Sequence, residues 1–407
     1  MNSTFSSPKN VRGKWLFLGV FSLSCFFFWW LRSILLREVV HIKDSVNDET
    51  IAISILALSL FVIGYLFPVF GRPKSQIEGK TLDACGGFAY RSTLAIFVPA
   101  LLVAVQILRS HIDLDYGSGA PVPRVFQAVL YLHLFFGFMY FGAADPQKQG
   151  FRRLWIVTIL VTLPRLVISI HGARFILAQA IVPALLIAVA RGWVRFSFKR
   201  ILQIAALALV IILVPAITRG DEVIGQDNTL TIVVGNDILG LYQENTDLSV
   251  DENCPPFFVS LTAKVFPYSI LGICTMDIGG LKNMPATLAR ILTHNDSLSF
   301  NGTIAGTGSM YLLELYITGG LWAVFLGSTL FGYSCRLFIG WLSERSLYSG
   351  IWAECLTRAL LAPRGNLSYV YERIPSLLLA TMLVISVVWA GRLLKREYVA
   401  ALVLPVP

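Results

Sequence analysis

At 407 residues and a net charge of +9, the chain has the length of two or three soluble domains. Its composition excludes them, because 56% hydrophobic residues against 14% charged ones belong to a core bathed in lipid. The basic surplus is not a nucleic-acid surface, since no run of Lys and Arg is interleaved with aromatic residues; it reads as membrane topology.

The basic tail Lys9, Arg12 and Lys14 precedes an apolar run from Trp15 to Leu36. That run is as long as one bilayer crossing and has no small-residue cleavage site, so it reads as an uncleaved anchor rather than a signal peptide. Further crossings are predicted at 51–70, 88–108, 124–144, 153–170, 174–190, 201–218, 310–335, 347–363 and 374–391, ten in all. The expected fold class is all-α: a polytopic membrane protein with transmembrane helices over 1–218 and 310–391, one large outer loop over 219–309, and a tail over 392–407.

Lys and Arg collect in short cytoplasmic loops, which gives the orientation. With the amino terminus inside, the inner segments hold Lys9/Arg12/Lys14, Arg72/Lys74/Lys80, Lys148/Arg152/Arg153, Arg191/Arg195/Lys199/Arg200, Arg336/Arg345 and Arg392/Lys395/Arg396. The short outer segments hold only pairs: Arg37/Lys43, Arg109/Arg124 and Arg364/Arg373. Both termini are therefore expected in the cytoplasm and 219–309 outside. That loop is too apolar for an inert spacer. Within it, Lys282 to His294 carries Leu288, Ile291 and Leu292 at helical spacing, which predicts a short amphipathic helix on the membrane surface. The six cysteines (Cys25, Cys85, Cys254, Cys274, Cys335, Cys355) show no CxxC and no nearby His, so no zinc site is indicated; only Cys254 and Cys274 share a loop and could pair.

Ionisable groups inside a span are costly, and those facing the bundle interior are candidates for function. Arg32 and Arg91 lie near span ends and can snorkel. Arg165, His171 and Arg174 flank an outer hairpin that is almost loop-free (LPRLVISIHGARF), with Pro164 kinking one helix and Gly172 permitting the tight turn. Two guanidiniums converging there would make an anion site, because Arg binds phosphate bidentately; the alternative is that both snorkel to lipid phosphates. His171 reads as a turn histidine. Glu354 and Arg358, four apart with Glu first, are expected to pair with each other. Arg364 ends a span at the outer face with no obvious acid neighbour, whereas Arg373 reads as an ordinary flank. Glu314 is expected just below the outer surface, either as counterion to the arginines or as a general base, and the residues leave both open.

Three features together resemble the oligosaccharide repeat unit polymerases, the O-antigen polymerases called Wzy, which are close in architecture to O-antigen ligases. They are the stretch Gly306, Gly308, Ser309, Glu314, Leu315, Tyr316 and Gly319, the Arg that opens a helix after a tight turn (Gly172-Ala173-Arg174), and the late Arg364-Gly365 at an outer helix end. The resemblance covers the layout of nearly the whole chain. The spacing of Arg and a Gly eleven positions on, described for some polymerase loops, is absent at Arg219 and Arg290. The resemblance implies substrates that are polyprenyl-diphosphate-linked oligosaccharides on the periplasmic face of a bacterial inner membrane, with transfer of the chain from its diphosphate to a hydroxyl of the incoming unit. Arg165, Arg174 and Arg364 would hold the departing diphosphate. Glu314 or His294 would accept the proton, Tyr316 and His294 would line the sugar path, and Arg290 and Ser309 would bind substrate. It implies no nucleotide cofactor and no metal, no nucleic acid, and as partners the bilayer itself with a chain-length regulator and a flippase.

Two other classes compete. A lipid-phosphate-sugar glycosyltransferase would use acids in an early outer loop, for which Asp44, Asp48, Glu49, Asp113 and Asp115 are the candidates. A transporter or flippase would show inverted repeats and broken midplane helices, whereas the unusual charges here cluster towards one face.

Overall fold

A computed structural model of the chain describes residues 8–31, 47–69, 79–109, 124–145, 150–169, 174–194, 254–262, 271–278, 281–285, 299–300, 303–304, 311–364 and 367–403. It is a helical structure. Among the described residues, six helical stretches are long and apolar enough to cross a membrane: Gly13–Leu31, Asp48–Leu66, Gly79–Arg109, Val125–Ala143, Tyr311–Leu342 and Leu367–Arg392. Large apolar side chains such as Leu102, Val125, Trp155, Trp322 and Leu379 lie exposed on the outside of the bundle, as a surface facing hydrocarbon requires. The expected crossing at 201–218 lies outside the described residues.

In chain order the elements are α1 (Pro8–Cys25), a π-helical turn (Phe26–Leu31), α2 (Asp48–Leu66), α3 (Gly79–Arg109), α4 (Arg124–Ala143), α5 (Phe151–Ser169) and α6 (Arg174–Ala190). Then come α7 (Pro256–Thr262), β1 (Thr275–Ile278), β2 (Leu281–Pro285), β3 (Ser299–Phe300), β4 (Thr303–Ile304) and α8 (Tyr311–Leu342). The chain closes with α9 (Ser349–Ala359), a 3-10 turn (Ala362–Arg364), α10 (Leu367–Tyr371) and α11 (Ile374–Val403).

Lipid tails give packed helices no hydrophobic reward, so close approach of small residues holds such bundles together. The α2–α8 contact follows that rule: a side chain on Gly64 would strike the carbonyl of Thr329, and one on Gly332 would strike that of Phe61. Beside this seam Phe21, Phe61 and Phe331 pack ring to ring, with centroids 3.9 Å apart for the first pair and 5.1 Å for the second.

Two expected crossings take a different form. A straight helix would set Tyr311 and Phe331 about 30 Å apart along its axis, yet their ring centroids are 5.4 Å apart. A Cβ on Gly327 would likewise collide with Leu315. The chain therefore doubles back at Gly319-Gly320, where Gly320 takes φ 60° and ψ −152°, a region that only glycine enters cheaply. Tyr311 to Thr318 is a short helix lying against the remainder of α8, whose residues 321–342 are about 33 Å long and can cross by themselves. This corrects the expectation of one unbroken helix from 310. Likewise 347–363 becomes the 11-residue α9, about half a bilayer core in length, continued by the 3-10 turn and α10. Pro363 interrupts the helical pattern there.

At the opposite end of the bundle Arg191 acts as a clamp. Its guanidinium donates to the carbonyls of Gly142 (2.8 Å), Glu344 (2.7 Å), Leu342 (3.1 Å), Phe141 and Ala144 (both 3.3 Å). These are the orphan acceptors that close α4 and α8. Arg345 beside it pairs with Asp83 at 2.6 Å and Asp145 at 3.5 Å.

Within 219–309, the stretch expected to form the outer loop, Cys254 and Cys274 are joined by a disulfide. β1 and β2 form an antiparallel hairpin, and β3 and β4 a second one, so the purely helical expectation is modified there. Leu281–Pro285 is strand where a surface helix was expected from Lys282; residues 286–294 lie outside the described residues. The Gly279-Gly280 pair is a hairpin signal in the sequence, and it outweighs the sparse helical spacing. Helix α7 packs against α10 and α8.

Candidate active site

The polar side chains inside the bundle converge where α4, α9, α10 and α11 meet. Arg358 on α9 is almost fully buried, and its Nε donates to Glu354 Oε1 at 2.8 Å. Its Nη1 reaches Glu372 Oε1 at 3.2 Å and the Tyr369 carbonyl at 2.8 Å, and its guanidinium lies over the Tyr369 ring at 4.0 Å. The expected Glu354–Arg358 pair is therefore present, but as one half of a wider network. Gln179 on α6 donates to the Tyr369 hydroxyl at 3.2 Å.

Arg165 on α5 is also buried, and its Nη2 donates to the Leu130 carbonyl at 2.8 Å. Tyr131, Arg373 and Glu354 lie within its electrostatic reach. Arg373, at the head of α11, donates to the Tyr131 hydroxyl at 2.7 Å with its guanidinium 4.2 Å from the ring centre, and it stands 4.0 Å from Glu372. Among the described residues, Arg358 and Arg373 are paired with Glu354 and Glu372, Arg165 lies within electrostatic reach of Glu354 and Arg373, and Glu314 lies within reach of Glu372.

A cavity of about 400 Å³ opens beside this network, lined by polar Gln127, Tyr131, Glu354, Arg373 and Ser376 and by an apolar wall that includes Phe138. Its size lies in the range of small-molecule sites, and a few convergent polar groups on an apolar wall are what such sites need. Glu354 is the one carboxylate among the described residues on that wall, and its Oε2 has no hydrogen-bond partner.

The surrounding elements fix this geometry. In the π-helical turn, Trp29 and Trp30 reach two different neighbours. Trp29 Nε1 donates to the Pro363 carbonyl at 2.8 Å and Trp30 Nε1 to Ser54 Oγ at 3.0 Å. Ser24 Oγ holds the Leu360 carbonyl at 2.8 Å, so α1 pins the broken chain after α9. From the other side Glu314 pins α10: Ser368 donates its Oγ to Oε1 at 2.6 Å and its N–H to Oε2 at 2.9 Å.

Of the residues singled out from the sequence, Arg165 lies in this network. Glu314 adjoins it through Ser368, and its carboxylate is satisfied there rather than by a guanidinium. Tyr316 is partly buried against the bundle core. Arg174 opens α6 and Arg364 ends the 3-10 turn, but their side chains, with Arg290, His294, Ser309 and His171, lie outside the described residues. Arg373, Tyr131, Gln127 and Tyr369 were missed. The available signal was polarity inside apolar runs, as in VFQAVLY around Gln127 and FILAQAIV around Gln179, which is costly in lipid unless used.

Compared with protein-family models, curated proteins and solved structures, the chain matches none.

Proposed function

We propose that the protein is a polysaccharide polymerase: a membrane glycosyltransferase that joins polyprenyl-diphosphate-linked oligosaccharide repeat units on the periplasmic face of a bacterial inner membrane. The observation that carries this reading is the cluster of Arg165, Arg358 and Arg373 inside an apolar bundle, beside a cavity of about 400 Å³ whose wall includes Arg373. Buried charge is retained where it meets an ionic substrate, and a departing diphosphate is the anion such a transfer generates.

The resemblance to O-antigen polymerases supports the same reaction. The Cys254–Cys274 disulfide supports an oxidising compartment for the outer loop, and hence its periplasmic orientation. Helix α7 of that loop, packed on α10, is then a cover over the sugar-binding side. Arg373, stacked on Tyr131 at the cavity wall, receives the diphosphate, with Arg165 within electrostatic reach of it. Glu314 is a positioning residue that sets α10 and thereby Tyr369, Glu372 and Arg373.

Purified protein in proteoliposomes, supplied with a synthetic polyprenyl-diphosphate oligosaccharide, is expected to form products that lengthen by whole repeat units. Donor left unconsumed by folded protein would refute the reading.

A further inference from the structure

We propose that Glu354 is the group that receives the proton of the attacking hydroxyl. The inference rests on the polymerase reading and assigns the acceptor side of the same cavity. A carboxylate that accepts a proton must lie on the cavity wall and keep a free oxygen. Glu314 fails the second condition, since Ser368 occupies both of its oxygens. Glu372 is absent from the cavity wall. Glu354 meets both conditions: it lines the cavity, it is 2% exposed, and its Oε2 has no hydrogen-bond partner.

Its other oxygen explains how it is held. Oε1 accepts from Arg358 Nε at 2.8 Å, which fixes the carboxylate plane and keeps the anion in the bundle. The unpartnered oxygen costs stability where it is, because a buried acceptor without a donor forfeits its hydration. A sugar hydroxyl entering the cavity supplies the missing donor. Phe138 and Tyr131 on the same wall provide the flat apolar and aromatic surface that sugar rings stack on, and Gln127 adds an amide for a neighbouring hydroxyl.

The step balances as follows. The acceptor oxygen forms a bond to the anomeric carbon of the donor chain. The bond from that carbon to the diphosphate oxygen breaks, and its electron pair leaves on the diphosphate, whose charge Arg373 meets at the cavity wall with Arg165 within electrostatic reach. The hydroxyl proton passes to Glu354 Oε2 and from there to solvent as the product leaves.

The test uses the full-length protein in proteoliposomes with a synthetic polyprenyl-diphosphate oligosaccharide, measuring donor affinity and single-turnover rate separately. Glu354→Gln is expected to bind donor within about threefold of the wild type and to turn over at least about 100-fold more slowly, the range for loss of a general base. Glu354→Asp keeps the charge and the Arg358 pair but withdraws the free oxygen by one methylene. It is expected to fold as the wild type does and to lose at least about tenfold in rate with donor affinity intact. Wild-type turnover in either variant overturns the assignment, as does a loss of donor binding that matches the loss of rate. A Glu354→Gln chain that fails to fold leaves the decision to Glu354→Asp. An inactive wild-type protein sinks the polymerase reading itself, whereas an active wild type with an active Glu354→Gln sinks only the role of Glu354.

Discussion

Replacing Glu314 by Gln separates a carboxylate that holds the fold from one that performs chemistry. In the structure Glu314 accepts two hydrogen bonds from Ser368, at 2.6 Å and 2.9 Å, and its side chain is fully buried. Bonds to a charged acceptor contribute about 1.5–3 kcal/mol each and neutral ones about 1, so the exchange costs about 2 kcal/mol in all. One amide oxygen still takes the Ser368 N–H, while the Ser368 hydroxyl turns to accept from the new NH2 group. Glu314→Leu is harsher, about 4 kcal/mol, because it also orphans a buried N–H. Unfolding of the purified protein in mixed micelles reads these differences, and pairing each variant with Ser368→Ala gives the coupling directly. If Glu314 only positions α10, turnover per folded Glu314→Gln molecule stays within about twofold of the wild type, on the view that occupied oxygens take no proton. Wild-type stability combined with a rate lowered 100-fold would overturn this reasoning and return Glu314 to the chemistry.

Arg373→Ala removes a cation from the cavity wall without cutting the Arg358 network, so turnover should fall about 100-fold while the folded yield holds; an unchanged rate, measured by product length on gels, would exclude Arg373. Arg358→Met leaves two carboxylates buried without their shared partner and should cost about 3–5 kcal/mol. Adding Glu354→Leu to it should recover part of that loss, and strictly additive costs would contradict the network. Gly332→Leu drives a side chain into the Phe61 carbonyl and should abolish stable accumulation in the membrane; normal accumulation would refute the close α2–α8 contact. An impermeant maleimide added to intact cells after reduction should label Cys254 and Cys274, and labelling only after lysis would reverse the topology.

Hydropathy located the six helical stretches long and apolar enough to cross a membrane among the described residues, because the apolar run is what lipid selects and its length is set by the bilayer. The Glu354–Arg358 pair was equally legible, since it depends only on helical periodicity. The reversal at Gly319-Gly320 was not, because hydropathy stays high through it and carries no information about direction. Two adjacent glycines were the only trace. Arg373 was read as a flank because its position before an apolar run is where topology also puts arginines. Its contact with Tyr131 lies 242 positions away in sequence and depends on how α4 meets α11. Glu314 was recognised as costly, yet its partner is a serine on a five-residue helix that no local pattern announces.

The central claim is that the cavity cleaves a sugar–diphosphate bond. A donor carrying oxygen-18 between the anomeric carbon and the diphosphate tests it most directly, with mass spectrometry of the lipid released in proteoliposomes. The account predicts one polyprenyl diphosphate released for each new linkage, with the label retained in that lipid. Intact donor carried across the bilayer with no diphosphate released, or label found in the lengthened glycan, would contradict it.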